Sequence, residues 1–179
     1  MSCAGTGRSA GGTPATVAAT AATHSARSCN VPHDPKERTC MEWAALVPEL
    51  ICSDLAGSIR FYRDVLGFRI RFERPEDGFA YLEIGRAQLM LEQYSPESWL
   101  TGPLEPPFGR GINFQIEVDA LDPILDRIRA AGVVPFVEPR TSWYREDDIE
   151  HGQVEMLVQD PDGYLLRLVE ILPERPVSG

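Results

Sequence analysis

One order of elements occurs twice in this chain, and that repeat limits the folds open to it more than any other feature. From Leu46 the hydrophobic pattern predicts a strand over 46–53. A helix follows, with Asp54 as the expected N-cap, Leu55, Ile59, Tyr62 and Leu66 at helical spacing, and Gly67 as the stop. Strands are predicted next over 68–73, 78–84 and 87–94, with turns at 74–77 and 85–86. After a Pro- and Gly-rich hinge, 95–110, the order begins again. A strand over 112–118 leads to a helix expected to be capped by Asp122, with Pro123 at its first position and Gly132 as its stop; Leu121, Ile124, Leu125 and Ile128 form its apolar stripe. Strands over 133–137, 153–159 and 164–171 complete the second set, and 138–152 reads as a loop. The duplication implies an α+β domain over 42–173, with paired βαβββ modules at 46–94 and 111–171. Residues 174–179 are expected to form a short C-terminal tail.

Alternation within the strands says what each sheet face does. Ile112, Phe114, Ile116 and Val118 oppose Asn113, Gln115 and Glu117; Ala80, Leu82 and Ile84 oppose Phe79, Tyr81 and Glu83; Leu89 and Leu91 oppose Gln88, Met90 and Glu92. The apolar set packs the helices. The other set is polar and aromatic, the lining of a wet concave cavity.

Residues 1–41 are rich in Ala, Thr, Ser and Gly, lack periodicity and read as a disordered tail, with Met41 as the natural first residue of the folded part. The tail holds only Asp34 and Glu37 as acids, so the chain's net charge of −10, from 17 basic and 27 acidic residues, belongs to the domain. Such a field repels phosphate backbones and anionic lipid and draws cations, so neither nucleic acid nor a membrane is an expected partner. No apolar run approaches the roughly 18 residues of a membrane span. Of the cysteines, Cys3, Cys29 and Cys40 lie in the tail. Cys52 sits in an apolar strand, where a buried thiol is the expected role, and a reducing cytoplasm fits this usage.

The run Ser53-Asp54-Leu55, with Phe61-Tyr62 and Leu66-Gly67-Phe68 after it, resembles the opening of the vicinal oxygen chelate superfamily and, within it, of the bleomycin resistance proteins. Gln88-Leu89-Met90-Leu91-Glu92 and Asp160-Pro161-Asp162-Gly163 extend the resemblance in register over about residues 46–171. The resemblance implies a curved mixed sheet around a cavity, completed by homodimerisation. In metal-dependent members, such as glyoxalase I and the extradiol dioxygenases, the first and last strands of each module carry His or Glu ligands. By the landmarks above, those positions here hold Val47, Met90 (or Glu92 after a two-residue shift), Asn113 and Arg167. Valine cannot ligate, methionine and an amide suit a divalent ion poorly, and a guanidinium repels one, so neither metal nor cofactor is expected.

The implied function is stoichiometric sequestration of a bleomycin-type cationic aromatic drug without turnover. Its expected site comprises Glu49, Phe79, Tyr81, Glu92, Trp99, Asn113, Trp143, Tyr144, His151 and Arg167. Trp99 and Trp143 have a second reading as covers for the core beneath loops. Arg167 also reads as an ion-pair partner of Glu92 or Glu49, and His151 as a surface residue without an acidic neighbour fixed by spacing. The alternative function is a metal-dependent lyase, isomerase or dioxygenase recruiting Glu49, Glu92 and His151; a third is a small-molecule-responsive interaction domain.

Overall fold

The duplicated pattern is realised as two four-stranded sheets with one strand order. The computed structural model describes residues 42–177, and the tail expected over 1–41 lies outside the described residues. In the first sheet β1 (Glu49–Cys52), β2 (Arg69–Arg74), β3 (Phe79–Ile84) and β4 (Ala87–Gln93) take the order β1-β4-β3-β2. In the second, β5 (Asn113–Glu117), β6 (Val137–Glu146), β7 (Ile149–Gln159) and β8 (Leu165–Pro176) take the order β5-β8-β7-β6. Each module pairs its first strand parallel to its last, β1 with β4 and β5 with β8, and its other strands antiparallel. A parallel pair needs a long connection, which the helix and the two middle strands of each module supply.

The helices lie on the apolar faces. α1 (Leu55–Arg60) continues as a π-helical segment, Phe61–Leu66, and ends at Gly67, whose φ of 90° is open to glycine at little cost. α2 (Asp122–Ala130) buries Ile124, Leu125 and Ile128. With them the core gathers Leu50, Tyr62, Leu66, Leu82 and Leu91 of module one and Ile116, Met156, Val158, Leu166 and Leu168 of module two. One continuous core therefore serves both modules.

Polar bonds join the modules across that core. The Asp160-Pro161-Asp162-Gly163 turn is part of the joint: Asp160 accepts from the backbone of Asp162 and Tyr164 and from the Tyr62 hydroxyl at 3.0 Å, while Asp162 accepts from the Ser53 amide at 3.1 Å and the Ser58 hydroxyl. Arg127 of α2 donates to the carbonyls of Val65 and Leu66, the orphan acceptors at the end of the first helix. Burial pushes the Asp160 carboxyl up to about 6 and the Cys52 thiol up to about 12, which leaves Cys52 a packing residue.

The structure corrects five local expectations. The expected loop over 138–152 is a hairpin of β6 and β7 that turns at Asp147 and Asp148, and 133–136 is not a strand. Asp54 makes no side-chain capping bond; the first turn of α1 is instead tied by Gln93, whose Oε1 accepts from the Leu55 amide at 2.9 Å. In module two Leu121 holds the N-cap position, its amide donating to Glu170, and Pro123 is the second helical residue. β8 also runs on through Pro176, past the expected strand end at Ile171.

Candidate functional site

A β-bulge in the first sheet builds the floor of its cavity. Sequence alternation puts Ile70 and Phe72 of β2 on one face, but the pairing slips between them: Ile70 stands opposite Leu82, on the core side, and Phe72 opposite Tyr81, on the other. Arg74 follows opposite Phe79. The slip adds a ring to the face that already holds Phe79 and Tyr81. Phe72 and Tyr81 stack with centroids 5.1 Å apart and planes 15° apart, and Phe79 lies 6.0 Å from Phe72. Trp43 stands edge-on to Tyr81 at 5.2 Å.

Trp43 is held there from outside the sheet. Gln88 of β4 accepts from the Ala44 amide at 2.8 Å and from the Tyr81 hydroxyl at 2.7 Å, and its amide donates to the Glu42 carbonyl at 2.8 Å. Residues 42–44 are thereby strapped across the aromatic floor.

At the other end of this face Glu49 of β1 and Glu92 of β4 are diagonal neighbours, because Glu49 is in register with Met90 and Ile51 with Glu92. The Ser98 hydroxyl donates to Glu92 at 3.2 Å. Partial burial, the Glu92 charge and a hydrogen bond shared with Glu92 raise Glu49 above the ordinary carboxylate range, and Arg74 opposes the rise. The resulting cavity, about 600 Å³, is lined by Trp43, Glu49, Ile51, Phe72, Arg74, Phe79, Tyr81, Met90, Glu92, Glu97 and Trp99. Its charged members are three carboxylates and one guanidinium. Chemically it offers flat rings to stack on and negative charge to meet a cation.

Of the ten expected site residues, Glu49, Phe79, Tyr81, Glu92 and Trp99 line this cavity. Trp99 stands at its mouth and is 93% exposed. Asn113, Arg167 and Tyr144 are on the second sheet. Arg167 pairs there with Glu155 at 3.6 Å and with Gln115, so the cation beside Glu49 is Arg74 instead. Trp143 lies on β6 with its ring against Gly152, where a Cβ would come within 2.5 Å of the ring, and under the Arg175 guanidinium, 3.7 Å from the ring centroid. His151, at the outer end of the hairpin, has two acidic neighbours after all, Glu146 at 2.7 Å and Glu174 at 3.2 Å.

The polar face of the second sheet carries a network centred on Glu155, which is fully buried. Arg140 donates to it at 2.9 Å, Ser142 at 2.8 Å and Gln153 at 2.9 Å, with the Tyr144 hydroxyl at 3.4 Å. Burial pushes this carboxyl up, but the bonds from Ser142, Arg140 and Gln153 outweigh it and hold Glu155 below the ordinary range.

The metal positions implied by the resemblance do not form a ligand set. Met90 and Glu92 are on the first sheet, Asn113 and Arg167 on the second, and among the described residues no three His, Cys, Asp or Glu side chains are grouped to hold a metal ion. At those positions Glu92 alone carries a good donor for a divalent ion. Nor is any helix among the described residues long and apolar enough to cross a membrane.

Residues 43–168 match the family model of the Glyoxalase/Bleomycin resistance protein/Dioxygenase superfamily. Bleomycin resistance proteins of Geobacillus stearothermophilus and Staphylococcus aureus are each 30% identical to the chain over 129 residues, which is 67% of this chain and 91% of theirs. Among solved structures, TioX from Micromonospora sp. ML1 shares the fold at 20% identity with a TM-score of 0.55, over 72% of this chain and all of its own. With its two βαβββ sheets and its matched relatives, the chain belongs to the glyoxalase/bleomycin resistance protein/dioxygenase superfamily.

Proposed function

We propose that the protein confers drug resistance by binding one bleomycin-type cationic aromatic molecule per chain in the first-sheet cavity and holding it chemically unchanged. The observation that carries this reading is the joining of one aromatic floor, Phe72, Phe79 and Tyr81 under Trp43, to the carboxylates of Glu49 and Glu92. A heteroaromatic tail stacks on the rings while its positive charge meets the acids. At about 600 Å³ the cavity suits such a tail and leaves the rest of a large glycopeptide outside. The chain's net charge of −10 favours encounter with a cation. A cytoplasmic homodimer needing no metal or cofactor completes the reading.

Titration with bleomycin tests it. Trp43 and Trp99 line the cavity, so saturable quenching of tryptophan fluorescence at one drug per chain is expected, with intact drug recovered after denaturation. Absence of quenching at saturating drug, together with no protection of a sensitive bacterium on expression, overturns the reading. Stoichiometric conversion of the drug would make the protein an enzyme.

A further inference from the structure

The cavity already holds a cation of its own. The Arg74 guanidinium carbon lies 4.1 Å from the centroid of the Phe79 ring, its cross-strand partner, and its charge acts on Glu49. A planar, delocalised cation on an aromatic face beside a carboxylate is the arrangement that the proposed ligand would make. Arg74 also has a second handle. Its Nε bonds Asp77, three residues on in the turn after β2, at 2.9 Å, and both side chains are about half exposed. Swinging toward Asp77 would free the Phe79 ring while keeping this ion pair.

Resting on the proposed drug-binding reading, we infer that Arg74 is a built-in competitor: a ligand cation enters by displacing the guanidinium from Phe79 toward Asp77. Arg74 thereby sets the specificity of the site. A ligand that spreads its charge over several fused rings regains the Phe79 contact and adds Phe72 and the exposed Trp43. A compact ammonium replaces one cation–π contact by another and gains nothing further.

Ethidium, a planar aromatic monocation whose fluorescence reports binding, is the probe, titrated at constant ionic strength into the full chain and three variants. Arg74→Gln is expected to bind it about three- to tenfold more tightly, the range of one cation–π contact released. Arg74→Lys keeps the charge but not the planar fork and is expected to fall between. Arg86→Gln, at an exposed residue of the β3–β4 turn outside the cavity lining, removes the same unit of charge and is expected to stay within about twofold of the parent. If Arg74→Gln binds no tighter, or Arg86→Gln gains as much, displacement is wrong while the cavity reading stands. If neither the parent nor Arg74→Gln binds ethidium, the inference falls, and the bleomycin titration separately decides the cavity reading.

Discussion

The polar faces of the two sheets are built by the same βαβββ unit, yet they spend their side chains in opposite ways. On the first, Glu49, Glu92 and a row of rings surround open space, and Arg74, the guanidinium lining that space, stacks on a ring. On the second, one buried carboxylate is surrounded by donors from β6, β7 and β8, with the Arg167 Nε left without a partner. On the proposed reading the first face takes an outside partner, whereas the second pairs its central carboxylate internally. The repeated unit supplies one framework twice, and the side chains standing on it give the two faces different chemistry.

The largest expected effect is at the joint on which both faces depend. Burial lifts Asp160 to about 6, against 3.8 when unperturbed. The folded protein therefore keeps a proton that the unfolded chain releases. The contribution to stability is full below pH 3.8 and is lost as pH rises to about 6, a change on the order of 3 kcal/mol. Asp160→Asn keeps an acceptor for the amides of Asp162 and Tyr164 and should flatten this window when urea unfolding is compared at pH 4 and pH 7. A slope unchanged by the substitution would show that the charge of Asp160 is not what strains the joint.

Next is the second face. Glu155→Ala is expected to lower stability by about 2 kcal/mol, since the bonds from Ser142, Arg140 and Gln153 are lost while Arg140 can still reach water. Bleomycin affinity should stay within about twofold. A drop in affinity as large as that from a cavity substitution would erase the distinction between the faces.

Smaller effects separate the tryptophans. Trp43→Ala and Trp99→Ala each remove a ring from the cavity, and calorimetric titration should show weakening by about 0.5–1.5 kcal/mol. Trp143→Ala should leave affinity alone and reduce stability by about 1 kcal/mol, because its ring supports Arg175 and covers Gly152. The reverse pattern would place the drug on the second sheet.

Much of the framework was legible because burial enforces it. The alternation in β3 and β4 could not be satisfied any other way, and Leu82, Leu91, Ile116 and Ile128 are buried in the core as their spacing required. What escaped sequence reasoning depends on cross-strand pairing. The bulge that turns Phe72 into the cavity breaks the period on which alternation relies, and Arg74 comes with it. β6 is largely exposed and polar, so no apolar stripe marks it as a strand. Glu155 reads as one more strand acid until Arg140 and Ser142 are paired beside it. Trp43, ahead of the first strand, carries no periodic signal; only its aromatic character close to the domain boundary could have drawn notice.

The central claim is that the first-sheet carboxylates hold a cationic aromatic ligand, and calorimetric titration of bleomycin into the wild type and a Glu49→Gln/Glu92→Gln variant tests it most directly. One site per chain is expected in the wild type, with binding weakened at least about tenfold in the variant. The variant's melting temperature should be equal or higher, since a pair of neighbouring acids is neutralised. Equal affinity in the two proteins, or no binding by the wild type, would contradict the claim.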